Sequence, residues 1–107
     1  MRVATFAAAL GLMLGILGPS VADQPRTHTI TIEDMRFQPE VLELAPGDTI
    51  VWLNKDVVPH TATSEVGGFD SNAILTSESW RYTVRKKGNF PYICTFHLAM
   101  KGMLRVQ

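Results

Sequence analysis

The chain has 107 residues, ten Lys and Arg against ten Asp and Glu, and a single cysteine. Balanced charge speaks against a nucleic-acid binder, which wants a basic surplus, and one cysteine excludes an internal disulfide. A chain of this length holds one domain with a small core and a thin stability margin, so a bound metal is the staple left to it.

The first elements in chain order are those of a leader. Arg2 supplies one positive charge, Val3 to Leu17 is almost wholly apolar, and Pro19-Ser20-Val21-Ala22 ends in the small-x-small pattern that signal peptidase accepts. The apolar run is short for a transmembrane helix, and no stop-transfer charges follow it. Residues 1–22 therefore read as a signal peptide and 23–107 as the exported domain, placed in the periplasm. An uncleaved membrane anchor ranks second, because Ser20-x-Ala22 is a good cleavage site and a polar segment begins at Asp23. Removing 22 of 107 residues leaves 85, with nine basic and ten acidic residues and a net charge of −1. An odd cysteine in an oxidising compartment then needs a reason.

The rest reads as strands and turns. Thr29-Ile30-Thr31-Ile32 alternates polar and apolar, and Leu42 and Leu44 repeat that alternation around Glu43. Pro46-Gly47-Asp48 is a turn signal, followed by a strand from Thr49 to Asn54 with Ile50 and Trp52 on one face. Glu65 to Ser77 is irregular and predicts a long loop. Ser79 to Val84 alternates again, with Trp80, Tyr82 and Val84 on one side, and Lys86-Lys87-Gly88-Asn89 predicts a hairpin turn. Phe90, Tyr92 and Cys94 share a parity, and Leu104 and Val106 belong to a last strand. Short strands at close intervals, with no sustained helical period, predict an all-β antiparallel sandwich or barrel.

Four side chains carry chemistry: His60, Cys94, His97 and Met100. Thiolate and thioether are soft ligands and imidazole is borderline, a set that suits copper; two His and one Cys in a plane with a weak axial Met describe an electron-transfer copper site. Cys94 ends a strand, and gaps of two residues let the chain fold back so that His97 and Met100 reach the same point. His60 comes from a neighbouring segment, just after the strand that ends at Asn54. A metal-bound thiol is deprotonated and held, which accounts for the unpaired cysteine. Taken singly, each residue has a plainer reading: Cys94 as core filler, His60 as a surface histidine, Met100 as packing. The joint Cys-x-x-His-x-x-Met reverses that order. Met103 is the rival axial ligand, but its parity is opposite to that of Leu104 and Val106, so it should point outward. His28 sits near the start of the domain and is given no ligand role.

The residues Phe37-x-Pro39-x-x-Leu42-x-Leu44-x-x-Gly47-Asp48-Thr49-Ile50-x-Trp52-x-Asn54, then Pro59-His60-Thr61, then Gly88-x-Phe90-x-Tyr92-x-Cys94-Thr95-x-His97-x-x-Met100-x-Gly102, resemble the small type I (blue) copper proteins, the cupredoxins of the plastocyanin and amicyanin kind. The resemblance implies a Greek-key β-sandwich with copper at one end, held by His60, Cys94, His97 and Met100, and one-electron transfer rather than enzymatic activity. It also implies transient docking of a redox donor and acceptor near His97, with Phe96, Leu98, Ala99 and Pro59 as an apolar ring, by a monomer that binds no nucleic acid and has no stable membrane association once the leader is removed. Relatives often carry proline where Phe96 and Leu98 stand, so a freer ligand loop is expected. Thr61, often asparagine in relatives, is expected to bring its N–H to the Cys94 sulfur and to tie the two ligand loops with its hydroxyl.

The basic residues Arg81, Arg85, Lys86, Lys87 and Lys101 read first as an ordinary solvated face, and second as steering charge for an acidic partner. A copper carrier or storage protein without an electron-transfer role would use the same ligands. A Cys94–His97 nucleophile pair ranks low, because no third orienting residue is evident and Met100 would go unexplained. Zinc would leave the methionine unused.

Overall fold

A computed structural model describes residues 24–107; the leader expected over 1–22 lies outside the described residues. Among the described residues eight strands form two four-stranded sheets. The first sheet has the order β2-β1-β4-β6, made of Arg36–Gln38, Thr27–Glu33, Thr49–Asn54 and Ser79–Thr83. The second has the order β3-β8-β7-β5, made of Val41–Leu44, His97–Val106, Gly88–Cys94 and Thr63–Ser64. No described residue lies in a helix.

The alternation read from sequence maps onto the inner faces. In β1 and β4 every second side chain is buried: Ile30 and Ile32, then Ile50, Trp52 and Asn54. The facing sheet contributes Leu44, Tyr92, Cys94, Met100, Leu104 and Val106. Each large aliphatic side chain moved from water to this interior contributes about 1.5–3 kcal/mol. Aromatic rings fill the centre. Tyr92 meets Phe37 edge-on with centroids 4.7 Å apart and meets Trp52 at 5.5 Å.

Two expectations are corrected. The sandwich is not wholly antiparallel: β1 runs parallel to β4, and β3 parallel to β8. Lys86 to Asn89 is not a hairpin turn, because β6 pairs with β4 while β7 pairs with β8 and β5. The segment carries the chain from one sheet to the other, which a turn composition alone cannot distinguish from a hairpin. The irregular stretch after β5 has no strand of its own, but isolated bridges Thr63↔Asp70 and His60↔Ile74 pin it down.

The parallel register fixes the two poles. Thr27 sits beside Thr49 at one end of the first sheet and Ile32 beside Asn54 at the other. At the Thr27 pole Asp48, almost fully buried, accepts the Arg26 N–H (2.9 Å), the Ala45 N–H (3.0 Å) and a contact from His28 Nε2 (2.8 Å). Burial raises its carboxyl, but these partners outweigh it and hold the group below the ordinary carboxylate range. A carboxylate with a lowered folded pKa contributes stability above its unfolded pKa, and that contribution disappears as pH falls through the folded value. Asp48→Asn should therefore cost about 1–2 kcal/mol at neutral pH. The gap from the parent, measured by urea unfolding, should close below about pH 4. A gap independent of pH would mean that the carboxylate charge has no part in it.

Candidate metal centre

At the opposite pole Asn54 organises the chain between β4 and β5. Its side-chain amide donates to the carbonyls of Val58 and Ile74, both at 2.9 Å, and its Oδ1 accepts the Asp56 N–H at 2.9 Å. All this happens in the interior, since Asn54 is fully buried. A buried amide is tolerated only with its donors and acceptor matched, and here they are. The result is a fixed turn over Lys55–Pro59 that delivers His60 to the core. His60 then exchanges backbone hydrogen bonds with Ile74, N to O at 3.2 Å and O from N at 2.7 Å.

The His60 ring has a distinct partner at each nitrogen. Nε2 lies 2.8 Å from Asp56 Oδ2, while Nδ1 lies 3.7 Å from Cys94 Sγ. Asp56 also accepts the N–H groups of Asp34 (2.8 Å) and Met35 (3.0 Å), two consecutive residues with φ of 54° and 59°. Burial raises the Asp56 carboxyl. The Met35 N–H, the His60 ring and the Asp34 N–H outweigh that and keep it below the usual carboxylate range. A carboxylate on the far nitrogen of a ligating imidazole fixes the tautomer and the ring's orientation. It leaves Nδ1 as the nitrogen turned toward Cys94.

Cys94 is fully buried at the end of β7. Its sulfur receives the Thr61 N–H at 3.3 Å. The Thr61 hydroxyl accepts the Thr95 N–H at 2.8 Å and meets the Thr95 hydroxyl at 3.1 Å. Both contacts expected of Thr61 are thus present, and the segments that carry His60 and Cys94 are joined. The loop after Cys94 is short, as the two-residue gap requires. Cys94 stands opposite His97 in the β7–β8 ladder, so only Thr95 and Phe96 turn the chain. Ladder pairing and the Thr61–Thr95 bonds brace the loop without the prolines that relatives use.

His97 approaches ring to ring with His60, centroids 5.1 Å apart, and is half-buried where His60 is sealed. Met100 is 5% exposed and belongs to the same buried cluster as Cys94. Met103 is half-buried on the other parity of β8, opposite Val41 and Pro91. Among the described residues no group of three or more His, Cys, Asp and Glu side chains forms a ready cluster around an ion. The tight unit is the His60–Cys94 pair, with His97 one ring away. That pair has a telling separation. An ion in a trigonal site, bonded to imidazole at about 2.0 Å and to thiolate at about 2.3 Å, holds those two atoms about 3.7 Å apart. The donor set, two imidazoles, a thiol and a thioether, fits copper in the same way.

Around this pole several apolar side chains are exposed. Phe96 is 52% and Leu98 65% exposed, and Ala99 and Pro59 are exposed beside them. Exposed Met35, Val57 and Val58 add to the same set, and sequence reasoning did not pick them out. It also missed Asp56. The available signal was an acid four residues before His60 and two after Asn54, a spacing with no meaning until the turn is folded.

A sequence profile described as a Cupredoxin-like domain matches residues 6–106. The chain belongs to the cupredoxin-like family, and its class is that of the small blue copper proteins. Among its relatives is amicyanin-alpha of Methylorubrum extorquens, 27% identical over 111 aligned positions that cover 98% of this chain and 92% of the relative. Amicyanin of Paracoccus versutus is 26% identical over 82% of this chain and 71% of its own length. In three dimensions a Cu(I) amicyanin mutant superposes with a TM-score of 0.71 at 23% identity, covering 76% of this chain and 82% of that one. The copper-containing nitrite reductase of Thermus scotoductus matches with a TM-score of 0.70 at 32% identity, but the match spans only 23% of that enzyme.

Proposed function

We propose that this chain is an exported one-electron carrier of the periplasm, in which His60, Cys94, His97 and Met100 hold one copper ion and residues 23–107 form the mature, monomeric domain. The observation that carries the reading is the 3.7 Å separation between His60 Nδ1 and Cys94 Sγ, with the other His60 nitrogen committed to Asp56. Copper bound there supplies a Cu(II)/Cu(I) couple. The protein's part is to keep its ligands in one place through both states. His60 is locked by Asp56 and by its exchange with Ile74, and the Cys94 sulfur by the Thr61 N–H. Such preorganisation keeps structural adjustment small when charge changes.

His97 is the one residue of the four that reaches the surface. Exposed Phe96, Leu98, Ala99 and Pro59 offer a modest apolar contact around it, suited to brief docking of a donor and then an acceptor. Relatives named amicyanin, and a 28% identical methylamine utilization protein MauL of Methylophilus methylotrophus, favour a redox chain of amine oxidation as the setting. This chain spans 55% of that last protein.

The test is to titrate the purified mature domain with Cu(II) and record its visible spectrum. One equivalent should give an intense blue band that disappears on reduction and returns on oxidation. A colourless complex, or binding without reversible reduction, would overturn the carrier reading.

A further inference from the structure

One cavity among the described residues shares no residue with the metal centre. It has a volume of about 350 Å³ and lies between the loop at Val66–Phe69 and the inner side of β6 and β7. Phe69, Tyr82 and Phe90 form its aromatic wall, and Val84 and Leu104 its floor. Phe69 and Tyr82 meet with centroids 4.8 Å apart and their planes tilted by 37°, and Tyr82 lies parallel to Trp80 at 5.9 Å. Two cations, Arg85 and Lys86, stand among the lining residues, with no acid there to answer them. Both are exposed, and neither makes an ion pair among the described residues.

We propose that this cavity binds a small amphipathic carboxylate, an aromatic or short aliphatic acid, with its apolar end against Phe69, Tyr82 and Phe90 and its carboxylate at Arg85 and Lys86. An apolar recess with a few convergent polar groups is the usual form of a small-molecule site, and this one lies at the small end of the size range. The charge pattern chooses the ligand. An unanswered guanidinium presents a planar fork that a carboxylate matches, and a cation or a neutral sugar would gain nothing there. The apolar walls choose against inorganic anions, which would lose hydration without return. The site stands independently of copper, so its fate and that of the carrier reading can be separated.

The experiment uses hydrocinnamate and its neutral amide as probes, titrated into the nitrogen-15-labelled domain with its copper state held constant. Hydrocinnamate should shift the amide signals of Gly67, Gly68, Phe69 and Lys86 and change the emission of Trp80. It should bind about three- to five-fold more tightly than the amide, the preference expected of exposed charge pairing. That preference should vanish in Arg85→Glu and Lys86→Glu, both surface changes that leave the walls intact. Equal affinity for acid and amide would overturn the proposal. So would shifts centred on His97, or no shifts up to millimolar acid.

Discussion

Gly102→Ala should strip the domain of a large share of its stability. Gly102 is buried in β8 opposite Tyr92 in β7. A methyl group added there would overlap the Tyr92 ring at Cζ, Cε1 and the hydroxyl. The ring has nowhere to go: Tyr92 is wholly buried, with Phe37 and Trp52 both set edge-on against it. Overpacking a tight core typically costs about 1–3 kcal/mol, and more when the neighbour cannot yield. We expect about 3 kcal/mol or more, a large share of the roughly 5–15 kcal/mol that a small domain has in total. The Tyr92 hydroxyl is also buried, with no well-formed hydrogen bond among the described residues, and burial, outweighing the neighbouring Trp52 indole N–H, pushes its ionisation well above the ordinary phenol range. Tyr92→Phe alone should therefore be neutral or mildly stabilising. Combined with Gly102→Ala it should rescue only in part, since Cζ and Cε1 remain in the way, whereas Tyr92→Leu should rescue further. Urea midpoints across this double-mutant cycle measure the contact. A Gly102→Ala midpoint equal to the parent's would mean that the strands part easily, contrary to the packing described.

What could be read from the residues follows from which forces are local. Ile30 and Ile32, Ile50 and Trp52, and Leu104 and Val106 announce their faces because a half-buried strand must alternate, and each of these side chains is buried. The opposite parity of Met103 was legible on the same ground. The partner of each strand was not, because parity says which face is inward and nothing of which strand lies alongside. Thus the parallel pairing of β1 with β4 and the crossing at Lys86–Asn89 emerged only in the fold. The thiol, imidazoles and thioether stood out because their donor chemistry is rare and their spacing tight. Asp56 did not, since its value depends on the Asp34–Met35 turn and His60 being brought to one carboxylate from separate segments. His28 shows the converse. Expected to have no ligand role, it is at the far pole, engaged with Asp48.

Cys94→Ser should abolish the blue colour completely while sparing the fold. The intense band expected of the copper-loaded domain requires a thiolate as charge donor, and a serine hydroxyl is neither soft nor deprotonated at neutral pH. The substitution is small in volume and leaves the hydrogen-bonding frame in place. The Thr61 N–H that reaches the sulfur at 3.3 Å would meet an oxygen instead, and His60 Nδ1 stands on the other side as a second polar neighbour. A buried hydroxyl with such partners costs about 1–2 kcal/mol against the thiol, so the metal-free variant should unfold cooperatively at a modestly lower urea concentration. Separating the two readouts matters. Loss of colour with a collapsed midpoint would only report misfolding, whereas loss of colour with a preserved midpoint assigns the band to one sulfur atom. Copper bound by the variant should be pale and held more weakly, because two imidazoles and a thioether remain without the anionic ligand. A variant that stayed intensely blue would place the chromophore on some other donor, and would remove Cys94 from the metal set.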